Sequence, residues 1–380
     1  MKIGVPREIK NNEFRVGLTP ASVTELVKLG HQVCIETMAG AGIGMPDEVY
    51  VEAGARIAGS PEEIFSTCDL IVKVKEPQPD ECRSLREGQI LFTYLHLAPD
   101  PEQTRLLLES GATAIAYETV TDTEGRLPLL TPMSEIAGKL SVQAGAHCLE
   151  KPRGGGGVLL GGVPGVAPGK VLVIGGGIVG SNAAVIAHGM GSEVTILDAS
   201  IERLRVLNDR FGNGVKCIYS TRETVGTFAR DADMVVGAVL VPGAVSPKLL
   251  TRDDIRDMKQ GAVTVDVAID QGGCFETSRP TTHQEPSYII DGVVHYCVAN
   301  MPGAVPKTST FALNNVTLPY VMALAEKGYR QAILDDQGLA NGLNVHRGRI
   351  THPAVAKSLD YEYVPARDAI KNISRLASVR

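Results

Sequence analysis

The sequence predicts an α/β protein of two doubly wound, largely parallel sheets, joined by long helices with a cleft between them. Three observations carry that expectation. Short apolar runs alternate with helical segments through roughly the first 130 residues, a pattern that buries parallel strands under helices on both faces. A second alternating stretch starts at Lys170 and holds a glycine-rich turn between a strand and a helix. At 380 residues, 44% hydrophobic and 21% charged, the chain can fill two sizeable cores.

The elements follow in order. β-like runs are expected at Lys2–Val5, Gln32–Glu36, Leu70–Val74, Ile90–Leu95 and Ala112–Glu118. Thr19-Pro20 opens a helix with an N-cap and a first-turn proline, and Gly30 stops it. Ser60-Pro61-Glu62-Glu63 opens another, with acids where the helix dipole favours them. A long helix within Leu127–Glu150 leads out of this unit into the glycine-rich loop Gly154–Gly169. The second unit begins at Val171–Ile174, and a second apolar run ends on Asp198. Its further strands are Met234–Val239, Ala262–Ile269 and Val293–Val298. After the Met301-Pro302-Gly303 turn, a second long helix runs from Ser309 to about Lys327, and the remainder packs back on the first unit. The expected domains are therefore a discontinuous substrate unit, 1–129 and 306–380, and an inserted nucleotide unit, 130–305.

The inserted unit carries the most informative motif. Gly175-Gly176-Gly177-Ile178-Val179-Gly180 is G-x-G-x-x-G between a strand and a helix, with Asp198 closing the next strand 18 residues past Gly180. Gly175 allows the tight turn, Gly177 lets backbone approach a pyrophosphate, and Gly180 lets helix and strand pack closely. Unpaired N–H groups at the helix start favour the phosphates. Asp198 accepts hydrogen bonds from a ribose 2′-hydroxyl and repels a 2′-phosphate, which argues for NAD over NADP. Arg203, five residues on, leaves two readings open: a cradle for a 2′-phosphate or a flank for the adenine.

Composition excludes several classes of partner. A net charge of −6 offers no electrostatic case for nucleic acid or an anionic membrane, so an anionic substrate needs local basic residues. Seven scattered cysteines without a C-x-x-C fit a reduced, cytoplasmic compartment better than a disulfide framework or a zinc site. The N-terminus has no signal-peptide pattern. The uncharged run Val171–Ser192 has the length of a membrane span, but its six glycines and the fingerprint place it in a nucleotide fold.

Ligands of open α/β sheets bind beyond the carboxyl ends of the strands. That rule selects Lys75, His96, Asp270 and Asn300, each just after an expected strand. A strand-end lysine is usually a solvated charge, and a lone histidine is more often structural. His96, however, sits in a turn before Pro99, and an imidazole titrates near pH 6.5, about where a proton carrier should. Asp270 is open between catalysis, a nicotinamide-ribose contact and a helix cap. Arg15 is usually read as surface charge, or as a fork for a carboxylate.

Longer stretches then carry a resemblance. They include Val5-Pro6-Arg7-Glu8, Glu13-Phe14-Arg15-Val16, Val74-Lys75-Glu76-Pro77, Tyr94-Leu95-His96-Leu97 and Pro132-Met133-Ser134-Glu135-Ile136-Ala137-Gly138. Gly161-Gly162-Val163-Pro164-Gly165-Val166, Asp266-Val267-Ala268-Ile269-Asp270-Gln271-Gly272-Gly273 and Val298-Ala299-Asn300-Met301-Pro302-Gly303-Ala304-Val305 complete the set. Nearly end to end, the chain resembles the alanine dehydrogenase/pyridine nucleotide transhydrogenase family, and within it the bacterial L-alanine dehydrogenases. The resemblance implies NAD-dependent, reversible deamination of L-alanine to pyruvate and ammonium by a cytoplasmic homohexamer. It assigns Arg15 and Lys75 to the substrate, and His96 and Asp270 to acid/base work. It places Ser134, Ile178, Val179, Asp198, Arg203, Ser220, Val239, Leu240, Arg279, Val267, Ala268, Ile269, Asp270, Val298, Ala299, Asn300 and Met301 along NAD, beside Gly175, Gly177 and Gly180. The family keeps a basic residue at the Arg203 position and still uses NAD. Metal ligands known in the family have no clear match here, Lys327 not being one, so no required metal is expected. The nearest rival in this family is a transhydrogenase subunit, which passes hydride between nucleotides and has no amino-acid site. A rival of another class is a non-catalytic NAD sensor.

Overall fold

The computed structural model describes residues 1–239 and 246–371. The chain divides into two compact units: Met1–Met133 together with the chain from Val305 on, and Ser134–Ala304. In chain order the strands are β1 (Lys2–Val5), β2 (Gln32–Glu36), β3 (Arg56–Ala58), β4 (Leu70–Val72), β5 (Ile90–Thr93) and β6 (Thr113–Ala116). The second unit supplies β7 (Lys170–Ile174), β8 (Glu193–Asp198), β9 (Val215–Tyr219), β10 (Met234–Gly237), β11 (Val263–Asp266), β12 (Ser287–Ile290) and β13 (Val293–Tyr296). β14 (Leu343–His346) and β15 (Arg349–Ile350) close the list.

Among the described residues the first unit holds a sheet of order β15-β14-β6-β5-β4-β1-β2-β3, and the second a sheet of order β12-β13-β11-β10-β7-β8-β9. The first is parallel except at β14 and β15, the second except at β12. Each therefore contains a doubly wound 3-2-1-4-5-6 core whose strand order reverses beside its first strand, the arrangement that opens a ligand crevice there. In the first unit the reversal lies between β1 and β4; in the second, between β7 and β10.

Sequence and structure agree residue for residue at β1 and β2. Thr19 caps the helix Pro20–Lys28 by accepting from the Ser22 amide, and Gly30 ends the turn at φ 83°. Strands β3, β9, β12, β14 and β15 were not expected. β3, β9, β12 and β15 are short or half-exposed pieces at or near sheet edges, and β14, buried between β6 and β15, has its apolar run broken by Asn344 and His346. Six strands also end sooner than their expected runs. β4 stops at Val72 rather than Val74, β5 at Thr93 rather than Leu95, β6 at Ala116 rather than Glu118, β10 at Gly237 rather than Val239, β11 at Asp266 rather than Ile269, and β13 at Tyr296 rather than Val298.

For three of these strands the cause is a carboxylate that takes the next amides out of the ladder. Glu8 accepts from Val74 and Lys75, Glu118 from Leu95 and His96, and Asp266 from Ala268. The chain turns aside where the candidate site residues stand.

The first long helix runs Thr131–Cys148, and the division between units falls within it, after Met133. Its Gly138 faces the Val179 carbonyl so closely that a Cβ would lie 2.2 Å from the oxygen. The second, Pro306–Asp335, lies wholly in the first unit and is broken at Gly328, whose φ of 70° and ψ of 157° are not helical. Asn314 on this helix bonds Gly17, Thr19 and Ser22. The later strands β14 and β15 extend the first sheet beyond β6. Among the described residues no helix is long and apolar enough to cross a membrane.

Candidate active site

In the first unit the site is built from charged side chains withdrawn from water. Arg15 is 2% exposed, and its Nε and Nη2 donate to the two oxygens of Glu13 at 2.6 Å each. Burial alone would weaken this cation, but the bidentate bonds and charge of Glu13 raise its affinity for the proton. Nη1 lies 3.2 Å from the Met133 sulfur. Lys75, with its side chain 13% exposed, stands 3.3 Å from Glu76 Oε2, while Lys10 bonds the other oxygen. Burial pushes the Glu76 carboxyl up, yet Lys75 and Lys10 outweigh that and hold it near about 2.

Beneath Lys75 lies a pair of acids around a lysine with no exposure. Lys73 Nζ donates to Glu8 at 3.0 Å and to Glu81 at 2.8 Å. The remaining Glu8 oxygen receives the Val74 and Lys75 amides, so the buried ion pair fixes the backbone that aims Lys75. Burial raises the Glu8 carboxyl against the pull of Lys73.

His96 is held in the left-handed region at φ 49°, which a non-glycine residue adopts only when its surroundings impose it. Its amide donates to Glu118 at 2.6 Å, and its ring Nδ1 lies 3.9 Å from the same oxygen. The Tyr94 ring stacks on the imidazole at a centroid distance of 5.8 Å and 7° between planes. Tyr94 is buried, and its hydroxyl donates to the Leu129 carbonyl at 2.6 Å. Lys75 and His96 thus stand just past the carboxyl ends of β4 and β5, and Arg15 in the segment between β1 and the helix Pro20–Lys28.

The second unit uses backbone instead. Gly175 has φ 97°, and a Cβ there would lie 2.8 Å from the Ala238 carbonyl across the strand reversal. A Cβ on Gly180 would sit 1.8 Å from the Gly175 carbonyl, an overlap that excludes any side chain. At Gly177 a Cβ would meet nothing within 4 Å. The glycine there preserves open space before the N-terminus of the helix Ile178–Gly189, as a phosphate requires. Ile178 is exposed and Val179 half-buried at that helix start. Asp198 accepts from the Gly176 amide at 2.7 Å and the Ser200 amide at 2.8 Å, which fixes its carboxylate beside the turn. Arg203 donates through Nε to the Gly176 carbonyl at 2.5 Å, and Nη2 lies 3.4 Å from that of Gly177. It braces the turn.

The other residues assigned to the nucleotide are spread over several segments of the same unit. The Ser220 amide donates to the Asp198 carbonyl, and Val239 lies against Gly175. Leu240 lies outside the described residues. Val267, Ala268 and Ile269 lead from β11 into a single 3-10 turn, Ile269–Gln271, on which Asp270 is exposed. The exposed Arg279 lays its guanidinium 4.3 Å over the Tyr288 ring. Val298 is buried, Ala299 donates to the Thr281 carbonyl, and Asn300 has φ 60° ahead of buried Met301. Ser134 is half-buried on the helix Thr131–Cys148. An open turn at a helix start, with a fixed acid on the neighbouring strand, fits a dinucleotide. Among the described residues no group of three His, Cys, Asp or Glu side chains could hold a metal ion.

Reading the sequence residue by residue passed over Glu13, Glu8, Lys73, Glu118 and Asp266. One signal was available: Lys73 interrupts an apolar run, and a lysine inside a buried strand needs a counter-charge. Of the carboxylates that answer it, Glu81 lies on the next helix and Glu8 near the start of the chain, and neither stands at a spacing that marks the pair.

Comparison with known proteins adds the lineage. Residues 4–137 match the family described as alanine dehydrogenase/PNT, N-terminal domain, and residues 141–353 its C-terminal domain. The chain is 58% identical to an alanine dehydrogenase of Halomonas elongata over 97% of its length and 100% of the relative's. It is 53% identical to that of Bacillus subtilis, over 99% of this chain and 100% of the other. A solved L-alanine dehydrogenase superposes with a TM-score of 0.92 at 54% identity, covering 95% of this chain and 99% of that one. Both halves of the family and nearly the full length of its dehydrogenases are thus matched, and the chain belongs to the alanine dehydrogenase/PNT family.

Proposed function

We propose that the chain is an NAD-dependent dehydrogenase that converts L-alanine and water to pyruvate and ammonium, and runs the reverse amination. The observation that carries this is the full-length identity above 50% to alanine dehydrogenases.

Bound at the glycine turn, NAD supplies the hydride acceptor for the Cα–H of alanine. Gly175, Gly177 and Gly180 shape the turn that would take its phosphates, and Asp198 would hold the adenosine ribose while repelling a 2′-phosphate. Arg15 and Lys75 bind and orient the substrate carboxylate and its neighbouring oxygen or amine. Their rigidity comes from Glu13 and Glu8, and rigid placement of a reacting carbon is worth several orders of magnitude in rate. His96 takes the proton as the amine becomes an imine, then serves the water that adds to it and the ammonia that leaves. Asp270 orders that water and balances the cationic iminium. Tyr94 and Met133 border the first site and favour a methyl side chain. On this reading the active form is a cytoplasmic homohexamer.

The test is absorbance at the NADH band with NAD and a panel of L-amino acids, then with pyruvate, ammonium and NADH. Turnover confined to alanine and pyruvate is expected. Silence with every substrate despite NADH binding would discard the dehydrogenase assignment in favour of a hydride carrier between nucleotides or a sensor. Light scattering of the purified chain checks the hexamer.

A further inference from the structure

We infer that Asp266 is a positioning residue that couples Asp270 to Arg279 by pinning both arms of the loop that carries them. The role rests on the function proposed for those two residues. Asp266 ends β11 and has no exposed surface. Its Oδ1 accepts the Ala268 amide at 3.1 Å, at the start of the arm that bears Asp270. Its Oδ2 accepts the amides of Cys274 at 2.7 Å and Phe275 at 3.3 Å, and the Ser278 hydroxyl at 2.5 Å, on the returning arm. Arg279 follows directly, and its amide donates to the Tyr288 hydroxyl at 2.8 Å.

The loop closes tightly on the carboxylate. Gly273 has φ 74°, and a Cβ there would lie 2.7 Å from Asp266 Oδ2, so a side chain at this point would drive the returning arm away. Lys248 Nζ clasps the outer side, donating to the carbonyls of Gly273 at 2.9 Å and Phe275 at 3.2 Å. Asp266 touches neither arm's working side chain; it sets where the chain between them runs. A carboxylate suits this task because it has two faces of acceptors and no donor. Asparagine, of the same size, accepts on one face only and presents N–H groups to N–H groups on the other, which releases one arm.

The experiment compares wild type, Asp266→Asn and Ser278→Ala, with Asp270→Asn and Arg279→Ala as references. Alanine turnover, NADH affinity by fluorescence, amide exchange and Tm are read on each. We expect Asp266→Asn to lower kcat by about 10- to 100-fold, the scale of misplaced catalytic groups. NADH affinity should weaken several-fold in the same variant, with the KM for alanine nearly unchanged and faster exchange confined to residues 267–279. Asp270→Asn should affect mainly turnover, and Arg279→Ala mainly NADH affinity. Ser278→Ala should show a smaller loss of the same kind. Turnover and NADH affinity both within twofold of wild type would overturn the inference, as would a lowered Tm with normal kinetics below it. If Asp266→Asn does not fold, Ser278→Ala decides: unchanged exchange and NADH affinity there reject the role. Exchange and NADH binding need no alanine turnover, so they separate this inference from the proposed reaction.

Discussion

At the end of β7 the groups that matter are glycines, placed by what they lack; at the ends of β1 and β4 they are ions sealed from water. The strand orders around the two reversals are the same. The glycine turn is made of consecutive residues because phosphates are bound by backbone N–H groups, and a short stretch of chain sets its own backbone. A small amino acid offers a carboxylate and an amine, which call for fixed charged side chains. Fixing them takes partners such as Glu13, Glu8 and Glu118, drawn from segments scattered through the unit. A backbone site is local in sequence, and a side-chain site is not.

The sharpest way to break this contrast is at His96. His96→Ala should lower alanine turnover by about 10²- to 10⁴-fold, the usual share of a general acid/base, while NADH binding survives. Loss of NADH affinity instead would make His96 a cofactor or folding residue. Next comes the buried ion pair. Lys73→Met leaves Glu8 and Glu81 without a counter-charge and should cost about 3–5 kcal/mol of stability, read by urea unfolding. A loss below about 1 kcal/mol would mean the acids simply take up protons, and the claim that this pair stiffens the first site would fail.

Gly180→Ala and Gly177→Ala separate two uses of one residue type. The first drives a methyl into the Gly175 carbonyl and should cost about 1–3 kcal/mol; the second meets open space and should spare Tm while weakening NADH binding. Equal effects on Tm would refute the reading of Gly177 as an opening for phosphate. Asp198→Ala should erode the preference for NAD over NADP by about tenfold, or 1.4 kcal/mol, and an unchanged preference would remove Asp198 from the ribose.

A pH slope tests one buried group of the first unit. His346 is buried beside Thr113, where burial first, and then Arg347, Arg330 and Arg349, lower its pKa to about 4. Its folded pKa is below the unfolded value near 6.5, so this contribution is complete above about pH 6.5 and fades as the pH falls toward 4. Unfolding free energy measured from pH 7 to 4.5 should fall less steeply in His346→Gln. Parallel slopes for the two proteins would assign the acid sensitivity elsewhere.

Legibility in the sequence followed exposure and locality. Strands β1 and β2 and the helix after Thr19 were readable to the residue, because their apolar runs and capping residues are contiguous. β9, with its half-exposed Val-Lys-Cys-Ile-Tyr, and the two-residue β15 were not, since an edge strand is wetted and its residues need not be uniformly apolar. The early ends of β4, β5 and β11 were hidden for a different reason. Apolar composition continues through Val74, Leu95 and Ile269, but Glu8, Glu118 and Asp266 have taken the amides that a longer ladder would use.

The order of residues from Lys170 to Asp198 was enough to specify a nucleotide turn, because glycine conformation and helix N-termini are properties of neighbouring residues. Longer motifs were enough to place the chain in its family. Folding alone revealed that Arg203, expected to cradle a 2′-phosphate or flank the adenine, braces the glycine turn, that a fully buried Lys73 underlies Lys75, and that Glu118 holds the amide of His96 in left-handed backbone. A charge taken out of water must be matched by another, and the chain can bring that partner from any distance. Such matches exist only once the strands are side by side.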